Sequence, residues 1–475
     1  MTGDARKLSY KVAALVVGAG VASSHCGSRS GVLDVSVRDA GTEAAPTDPC
    51  LAPQLDVVCA GALASAPAGS EVWSTSLDIG TDNLIGPAAA DPSGNTYYLA
   101  AESSLYVNKV FAVDACGALR WETSVESLLQ GTRYIPQVMV VDGRLLLVGV
   151  GSITALELAT GDHAFTADID GFAKKGGLGV SPGKVQALGY TAARSDGTVF
   201  TAVANDLDVW IVSFDKQGTI KPVVNVPKYL SSFSYSLGAQ QFVIDAAGHL
   251  VLAGGASSSG KLVRAFTAAG GAAFEVELPN WGGGRSLAGG PDFLTGDGAW
   301  LIDLNGTLRN ENPTAAGKYV SWSGPTAVDA EGSLFLGGGE ADPLSSGLSY
   351  HVLGSFSSSG APRWRTALDE TIFSGPILGD GGQLFVVTAE SFDPGSSQHL
   401  VAVALNNGAE LWRVALPEVG ERPPSWLLLN DAGALIVTRQ NQVRAFSSGG
   451  AKSPRCAWWP TPHGGPDQRV AAFGK

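Results

Sequence analysis

The sequence predicts an all-β protein, a β-propeller of eight four-stranded antiparallel blades, and three observations carry that prediction. First, a glycine recurs nine times in one local setting, at Gly69, Gly117, Gly161, Gly218, Gly270, Gly306, Gly360, Gly408 and Gly450, with separations of 36 to 57 residues. An aromatic stands four residues after six of them: Trp73, Trp121, Phe165, Phe274, Trp364 and Trp412. Second, an Asp followed within three residues by Gly recurs ahead of apolar runs, at Asp91/Gly94, Asp142/Gly143, Asp196/Gly197, Asp245/Gly248, Asp297/Gly298, Asp329/Gly332, Asp380/Gly381 and Asp431/Gly433. Third, 62 Gly and 25 Pro against 2 Met and 16% charged residues suit short strands and many turns, and no long helical stripe appears. A repeat of about 40 to 50 residues carrying several strands is the mark of propeller blades.

Each unit can be justified in order. The glycines of the first series sit in stretches such as Val110 to Trp121 and Leu400 to Trp412, which read as strand, glycine turn, strand. In the second series Asp bonds its own backbone and Gly supplies positive φ, so each pair reads as a tight hairpin. The two series interleave, giving eight blades. In the fifth, Asp297 and Gly306 stand only nine residues apart, so that blade is expected to have lost strands, and seven intact sheets plus a remnant is the alternative count. A blade's two apolar faces cannot be buried alone, so neighbours stack into a ring, with each aromatic wedged between adjacent blades. The segment from Gly69 to Leu77 looks like the second half of a repeat, and Gln442 to Phe446 like a first half. The N-terminal segment therefore supplies the outer strand of the last blade, in competition with the stretch around Trp458 and Trp459.

The ends read differently from the body, here taken as 69–460 with a tail at 461–475. Arg6, Lys7 and Lys11 precede the apolar run Val12 to Ala22, the pattern of an export signal over 1–26. Two processing routes compete. Cys26 is a lipid-acceptor candidate, although His25 rather than a small residue precedes it; the other route is cleavage near Ala22-Ser23-Ser24 and release. Residues 27–68 form a polar tether in this reading. Export implies an oxidising compartment, where Cys50, Cys59, Cys116 and Cys456 are disulfide candidates with three possible pairings. The preferred one joins Cys50 to Cys59, and Cys116 to Cys456 across the ring closure. A net charge of −13 and a pI near 4.9 argue against a nucleic-acid surface.

The unit Ala-Val-Asp-Ala-Cys-Gly-Ala-Leu-Arg-Trp at 112–121, with weaker echoes at 355–364 and 402–412, resembles the repeat of the pyrroloquinoline-quinone-type β-propellers. The resemblance spans about residues 69–460, and the tail Trp458-Trp459-Pro460 is similar to a Trp-Pro segment found beside such repeats. That family includes quinoprotein alcohol and glucose dehydrogenases and the non-catalytic propeller lipoprotein of the outer-membrane β-barrel assembly machinery. Its motif speaks for fold and is nearly silent on chemistry.

For the dehydrogenases the resemblance implies an adjacent Cys-Cys pair and carboxylate and amide ligands for calcium. This chain has no neighbouring cysteines, its regular Asp residues are explained by turns, and it has no Cys-x-x-Cys-His haem site. Gly255 to Lys261 matches phosphate-loop spacing, but Leu262 replaces the Ser or Thr that would hold magnesium and a strand continues where a helix is required. Asp168-Ile169-Asp170-Gly171 lacks the later ligands of a calcium loop and reads as a plain loop. The six His residues show no metal-ligand spacing, and no cofactor or metal is expected. Binding then falls to the long inserts 173–192 with Lys174 and Lys175, 229–240 with Phe233 and Tyr235, 280–290 with Trp281 and Arg285, and 339–350. The expectation is an exported monomer that binds or scaffolds protein partners of the cell envelope. The rival is an enzyme at the channel mouth, either a quinone-dependent dehydrogenase or a carbohydrate-active protein.

Overall fold

A computed structural model describes residues 63, 65–79, 83–103, 106–129, 137–149, 151–175, 178, 186–194, 196–204, 209–226, 241–257, 260–279, 287–296, 300–310, 320–321, 326–341, 348–391, 396–417, 426–439 and 441–454. The strands assemble into eight antiparallel sheets. Blades 1 to 7 span residues 83–124, 137–168, 186–226, 241–279, 287–310, 320–367 and 371–416, and blade 8 joins 426–447 to the strand Glu71–Ser76. Blades 1 to 7 are built from inner to outer strand in chain order. The inner strands touch in sequence around the ring, and that of blade 8 touches that of blade 1. The circle is closed.

Closure uses the N-terminal segment. Glu71–Ser76 pairs antiparallel with Gln442–Ser447, from Glu71 opposite Phe446 to Ser76 opposite Gln442, so the outer strand of the last blade comes from the start of the body. This settles the competition with the C-terminal stretch, whose Trp458 and Trp459 lie outside the described residues. The packed body also reaches back ahead of Gly69. Leu63 is 1% exposed and packs among Ala115, Phe111, Leu428 and Ala432, while Ser447 Oγ donates to the carbonyls of Leu63 and Ala66.

Blade 5 corrects one expectation. It keeps all four strands, Leu287–Gly289, Phe293–Gly296, Trp300–Asp303 and Leu308–Asn310, so its strands are shortened and not lost. Asp297/Gly298 is not its inner hairpin. That turn is Gly290-Pro291-Asp292, closed by Gly290 N–H on the carbonyl of Phe293 at 2.9 Å, and Asp297 falls in the next connection. In blade 8 likewise the turn is organised by Asn430, one residue before Asp431: its Oδ1 accepts from the backbone N–H of Ala432 and Ala434. In blade 6 the inner strand is split into Val320–Ser321 and Thr326–Val328, both paired with Leu334–Ala341.

The core lies in the seams between blades. Successive apolar clusters join blades 8 and 1, 1 and 2, 2 and 3, 3 through 6, 6 and 7, and 7 and 8. All nine glycines of the first series have positive φ, between 73° and 95°. Their lack of a side chain serves a second purpose. Trp73 of blade 8 covers Gly117 of blade 1, Trp121 covers Gly161 of blade 2, Phe165 covers Gly218 of blade 3, Phe274 covers Gly306 of blade 5, Trp364 covers Gly408 of blade 7, and Trp412 covers Gly69 of blade 8. Three indoles also donate across the seam: Trp73 Nε1 to Ala115 O at 3.0 Å, Trp121 to Leu158 O at 2.9 Å and Trp364 to Leu405 O at 2.8 Å. Two residues on, Thr75, Thr123 and Thr366 donate to the carbonyls of Gly117, Gly161 and Gly408. The three tryptophan clamps at Trp73, Trp121 and Trp364 thus combine aromatic burial, about 1.5–3 kcal/mol, with two hydrogen bonds of about 1 kcal/mol apiece.

Candidate binding face

Because strands alternate in direction, the first-to-second and third-to-fourth strand turns of every blade lie on one face of the ring. The second-to-third turns and the blade-to-blade connections lie on the other. We call these the turn face and the loop face. The clamp glycines and the Asp-Gly pairs other than Asp297/Gly298 occupy the turn face. The strands that flank three of the inserts singled out from sequence end at the loop face: Ile220–Val226 and Gln241–Ile244 on either side of 229–240, Ala272–Pro279 and Leu287–Gly289 at 280–290, and Leu334–Ala341 and Leu348–Phe356 at 339–350. Phe233, Tyr235, Trp281 and Arg285 themselves lie outside the described residues.

The first insert opens in the described residues with a short helix, α1 (Ile169–Lys174), where a loop was expected from Asp168-Ile169-Asp170-Gly171. Asp168 caps it, its Oδ1 accepting from Gly171 N–H at 2.8 Å. Asp170 in the first turn and Lys174 in the last suit the helix dipole and pair with each other at 2.6 Å. The hydrogen bond to Asp170 holds the Lys174 ammonium above its ordinary pKa. Ile169 and Ala173 anchor the helix on blade 2. The decoy at 255–261 is a hairpin, Leu250–Ser257 paired with Gly260–Phe266, as its sequence suggested.

Blade 7 carries a polar row at the loop face that the sequence did not disclose. Glu370, 8% exposed, stands just before the inner strand Thr371–Gly379. Its Oε2 accepts from Thr388 Oγ1 at 2.5 Å and Arg413 Nη1 at 2.7 Å, and its Oε1 lies 2.7 Å from His399 Nδ1. The last contact is close but off the hydrogen-bond line, since His399 Nδ1 makes no bond of good geometry. Arg413 continues to Glu410 through two bonds of 3.2 and 2.8 Å; chiefly this partner, then Glu370, raises its pKa. Register sets three strands in line, since Ile372 pairs Thr388 and Thr388 pairs His399; Arg413, opposite Val401 on the fourth strand, reaches in from two residues away from His399's partner Ala415. One buried carboxylate thereby fixes the loop-face end of the blade.

At the turn face the carboxylates nearest the axis are consumed by their own turns. Asp91 Oδ1 accepts from Ser93 and Asn95 N–H, both at 2.9 Å, and Oδ2 from Tyr97 Oη at 2.8 Å. Asp245 accepts from Ala247 and His249 N–H and pairs His249 Nδ1 at 2.9 Å. Asp329 accepts from Ser333 N–H at 2.6 Å. Burial raises the pKa of Asp245 and Asp329 against these bonds. Among the described residues no three His, Cys, Asp or Glu side chains converge as a cation site.

Of the cysteine candidates, Cys116 lies in the outer turn of blade 1 and is disulfide-bonded. Cys26, Cys50, Cys59 and Cys456 lie outside the described residues. No helix among those residues is long and apolar enough to cross a membrane.

No curated protein matches the sequence. Among solved structures the chain is similar to the quinohemoprotein alcohol dehydrogenase of Comamonas testosteroni, at 13% identity and TM-score 0.53, with 82% of this chain and 78% of that one covered. It is also similar to Chaetomium thermophilum Sqt1 bound to the N-terminus of the ribosomal protein L10, at 11% identity and TM-score 0.50, with 80% and 100% covered. At these identities the likeness is one of fold. The family described as outer membrane protein assembly factor BamB matches residues 61–171 and 259–453; the gap between them holds blade 3, where Pro222 stands in place of a clamp aromatic. With well over half of its length matched, the four clamp tryptophans included, the chain belongs to that PQQ-type propeller family.

Proposed function

We propose that this protein is an exported, non-catalytic propeller that binds or scaffolds protein partners of the cell envelope, working as a monomer without a cofactor. The observation that carries the reading is the family match, whose description names outer membrane protein assembly. The division of the ring into two faces supports it. The turn face is spent on hairpins and seam clamps, whereas the described strands that flank the inserts bearing Phe233, Tyr235, Trp281 and Arg285 end at the loop face; these residue types favour binding hot spots. The basic and apolar pattern of residues 1–26 supports export, with Cys26 as lipid acceptor or with release as a soluble protein.

A second reading, a quinone-dependent dehydrogenase or a carbohydrate-active protein at the channel mouth, draws on the fold shared with an alcohol dehydrogenase. The two part on one experiment. The mature protein is titrated calorimetrically with pyrroloquinoline quinone and calcium, then assayed with a redox dye over common alcohols and sugars. In parallel a photo-crosslinker at position 235 or 281 is activated in intact cells. The scaffold reading expects no binding heat, no dye reduction and a discrete crosslink to one envelope protein. Saturable quinone binding with turnover overturns it.

A further inference from the structure

The sequence holds two Asn-Gly pairs, Asn305-Gly306 and Asn407-Gly408, and each stands in the outer turn of its blade at a clamp glycine. We infer that Asn305 is a site of self-modification, at which the turn of blade 5 promotes attack of the Gly306 nitrogen on the Asn305 side-chain amide and leaves aspartate or isoaspartate in place of asparagine. The blade 7 pair is the unpromoted reference.

Glycine puts no Cβ beside the attacking nitrogen, so Asn-Gly offers this reaction the least steric resistance. In both turns the side chain is already curled over the next peptide. Asn305 Oδ1 accepts from Thr307 N–H and Asn407 Oδ1 from Ala409 N–H, each at 3.0 Å, and each bond closes a ring that contains the glycine nitrogen. What differs is a hydroxyl. Thr307 Oγ1 donates to Asn305 Oδ1 at 2.6 Å, whereas Ala409 has none to give. Attack at Cγ moves negative charge onto Oδ1, and two donors fixed on that oxygen stabilise the charge as it forms.

The nucleophile is restrained in both turns. Gly306 N–H donates to Asp303 O at 3.0 Å and Gly408 N–H to Ala404 O at 2.9 Å, and reaction requires that bond to open. The strand that follows Asn305 is Leu308–Asn310, three residues, against seven in Glu410–Leu416 after Asn407. A turn held by fewer ladder bonds opens locally at lower cost. Asn305 and Thr307 are exposed, so water has access to the product of the first step.

In that step the bond from Gly306 N to Cγ forms and the bond from Cγ to Nδ2 breaks; ammonia leaves with the proton that Gly306 N gives up. Water then opens the cyclic imide at one carbonyl or the other, giving aspartate or an isoaspartate with one more methylene in the backbone. Gly306 lies under Phe274, whose Cβ would stand 2.7 Å from a Cβ built on the glycine. A lengthened turn therefore shifts the seat of the clamp between blades 4 and 5.

The folded full chain is aged in mildly alkaline buffer made with oxygen-18 water and digested after Lys and Arg. Peptide 286–309 carries Asn305 as its sole asparagine, and 366–413 carries Asn406 and Asn407, which fragmentation tells apart. Asn305 should convert several-fold faster than Asn407, gain one heavy oxygen and yield both aspartate and isoaspartate, with the melting temperature falling as conversion proceeds. Thr307→Val should slow Asn305 to the rate of Asn407, Thr307→Ser should keep it fast, and urea should abolish the difference between the two pairs. A rate at Asn305 no higher than at Asn407 in the folded chain, or one that Thr307→Val leaves unchanged, overturns the inference.

Discussion

The indole N–H of Trp73 donates to the carbonyl of Ala115 at 3.0 Å while its ring lies over Gly117, so a residue of the closing strand clamps the last blade to the first. Gly117 is left-handed, φ 87°, and a Cβ built on it would stand 2.7 Å from Trp73 Cδ2. Gly248 is left-handed too, φ 79°, with nothing within 4 Å of such a Cβ. Gly248→Ala should therefore cost only the backbone term, about 1–2 kcal/mol. Gly117→Ala should add about 1–3 kcal/mol of overpacking. Denaturant titration of both variants measures the difference, and equal losses would remove the steric role assigned to the seam.

The seam between blades 7 and 8 lacks both of the clamp's hydrogen bonds. Trp412 covers Gly69, but its buried Nε1 has no partner among the described residues, and Val414 stands where Thr75, Thr123 and Thr366 stand elsewhere. Val414→Thr is close to isosteric and offers a hydroxyl toward the chain at Gly69. It should stabilise by about 1 kcal/mol, read as a raised melting temperature; a loss would mean that no acceptor is within reach.

Much of this was legible in the sequence, and the misses have physical reasons. The glycine and aromatic periods follow from a steric need that recurs in nearly every seam, so they survive as pattern. The Trp-x-Thr signature at 73–75, 121–123 and 364–366 was equally visible, and its meaning emerged only when each Thr met a carbonyl of the next blade. Blade 5 was misread because Asp297-Gly298 has turn chemistry, while the hairpin was made by Gly290-Pro291-Asp292. Glu370, Thr388, His399 and Arg413 carry no shared period at all. Only the folded blade brings them together, Thr388 and His399 by strand register and Glu370 and Arg413 by the reach of their side chains.

Blade 2 solves the clamp differently. Phe165 has no N–H to offer, and Arg144 supplies one: its guanidinium lies 5.5 Å from the Phe165 ring centre and Nη1 donates to Lys216 O. That carbonyl stands two residues before Gly218, as Ala115 stands two before Gly117. Arg144→Met should cost about 1–2 kcal/mol, the sum of a cation–π contact and one hydrogen bond. Phe165→Trp placed in the Arg144→Met background should recover part of it, whereas Phe165→Trp alone should not stabilise. A double-mutant cycle by thermal melts tests the exchange.

Glu370→Gln should loosen the loop face of blade 7. The substitution leaves Arg413 and His399 without their shared carboxylate. Losing one member of a fully buried ion pair costs about 3–5 kcal/mol; Arg413 is 23% exposed and keeps Glu410, so the expected loss is smaller, about 1–3 kcal/mol. Amide exchange should quicken along Thr371–Gly379 and Gln398–Ala404 and stay unchanged in blade 2. Uniform quickening around the ring would assign the effect to global stability.

The buried turn carboxylates set a pH dependence whose sign can be worked out at Asp329. Burial first, and then Glu331, raise its pKa above the ordinary 3.8, more than the Ser333 bonds and Arg363 lower it. Between 3.8 and the raised value the folded state holds the proton more tightly than the unfolded chain does, so stability falls as pH rises through that window and rises again on acidification. At neutral pH the ionised carboxylate is a net cost. Blade 8 shows that an amide serves the same turn, since Asn430 Oδ1 accepts from Ala432 and Ala434 N–H at 3.1 and 2.9 Å. Asp329→Asn should therefore melt at or above the wild-type temperature at pH 7, and its advantage should shrink as the pH is lowered toward 3.8. An advantage that grows on acidification would show that the hydrogen bonds from Ser333 outweigh burial at this turn.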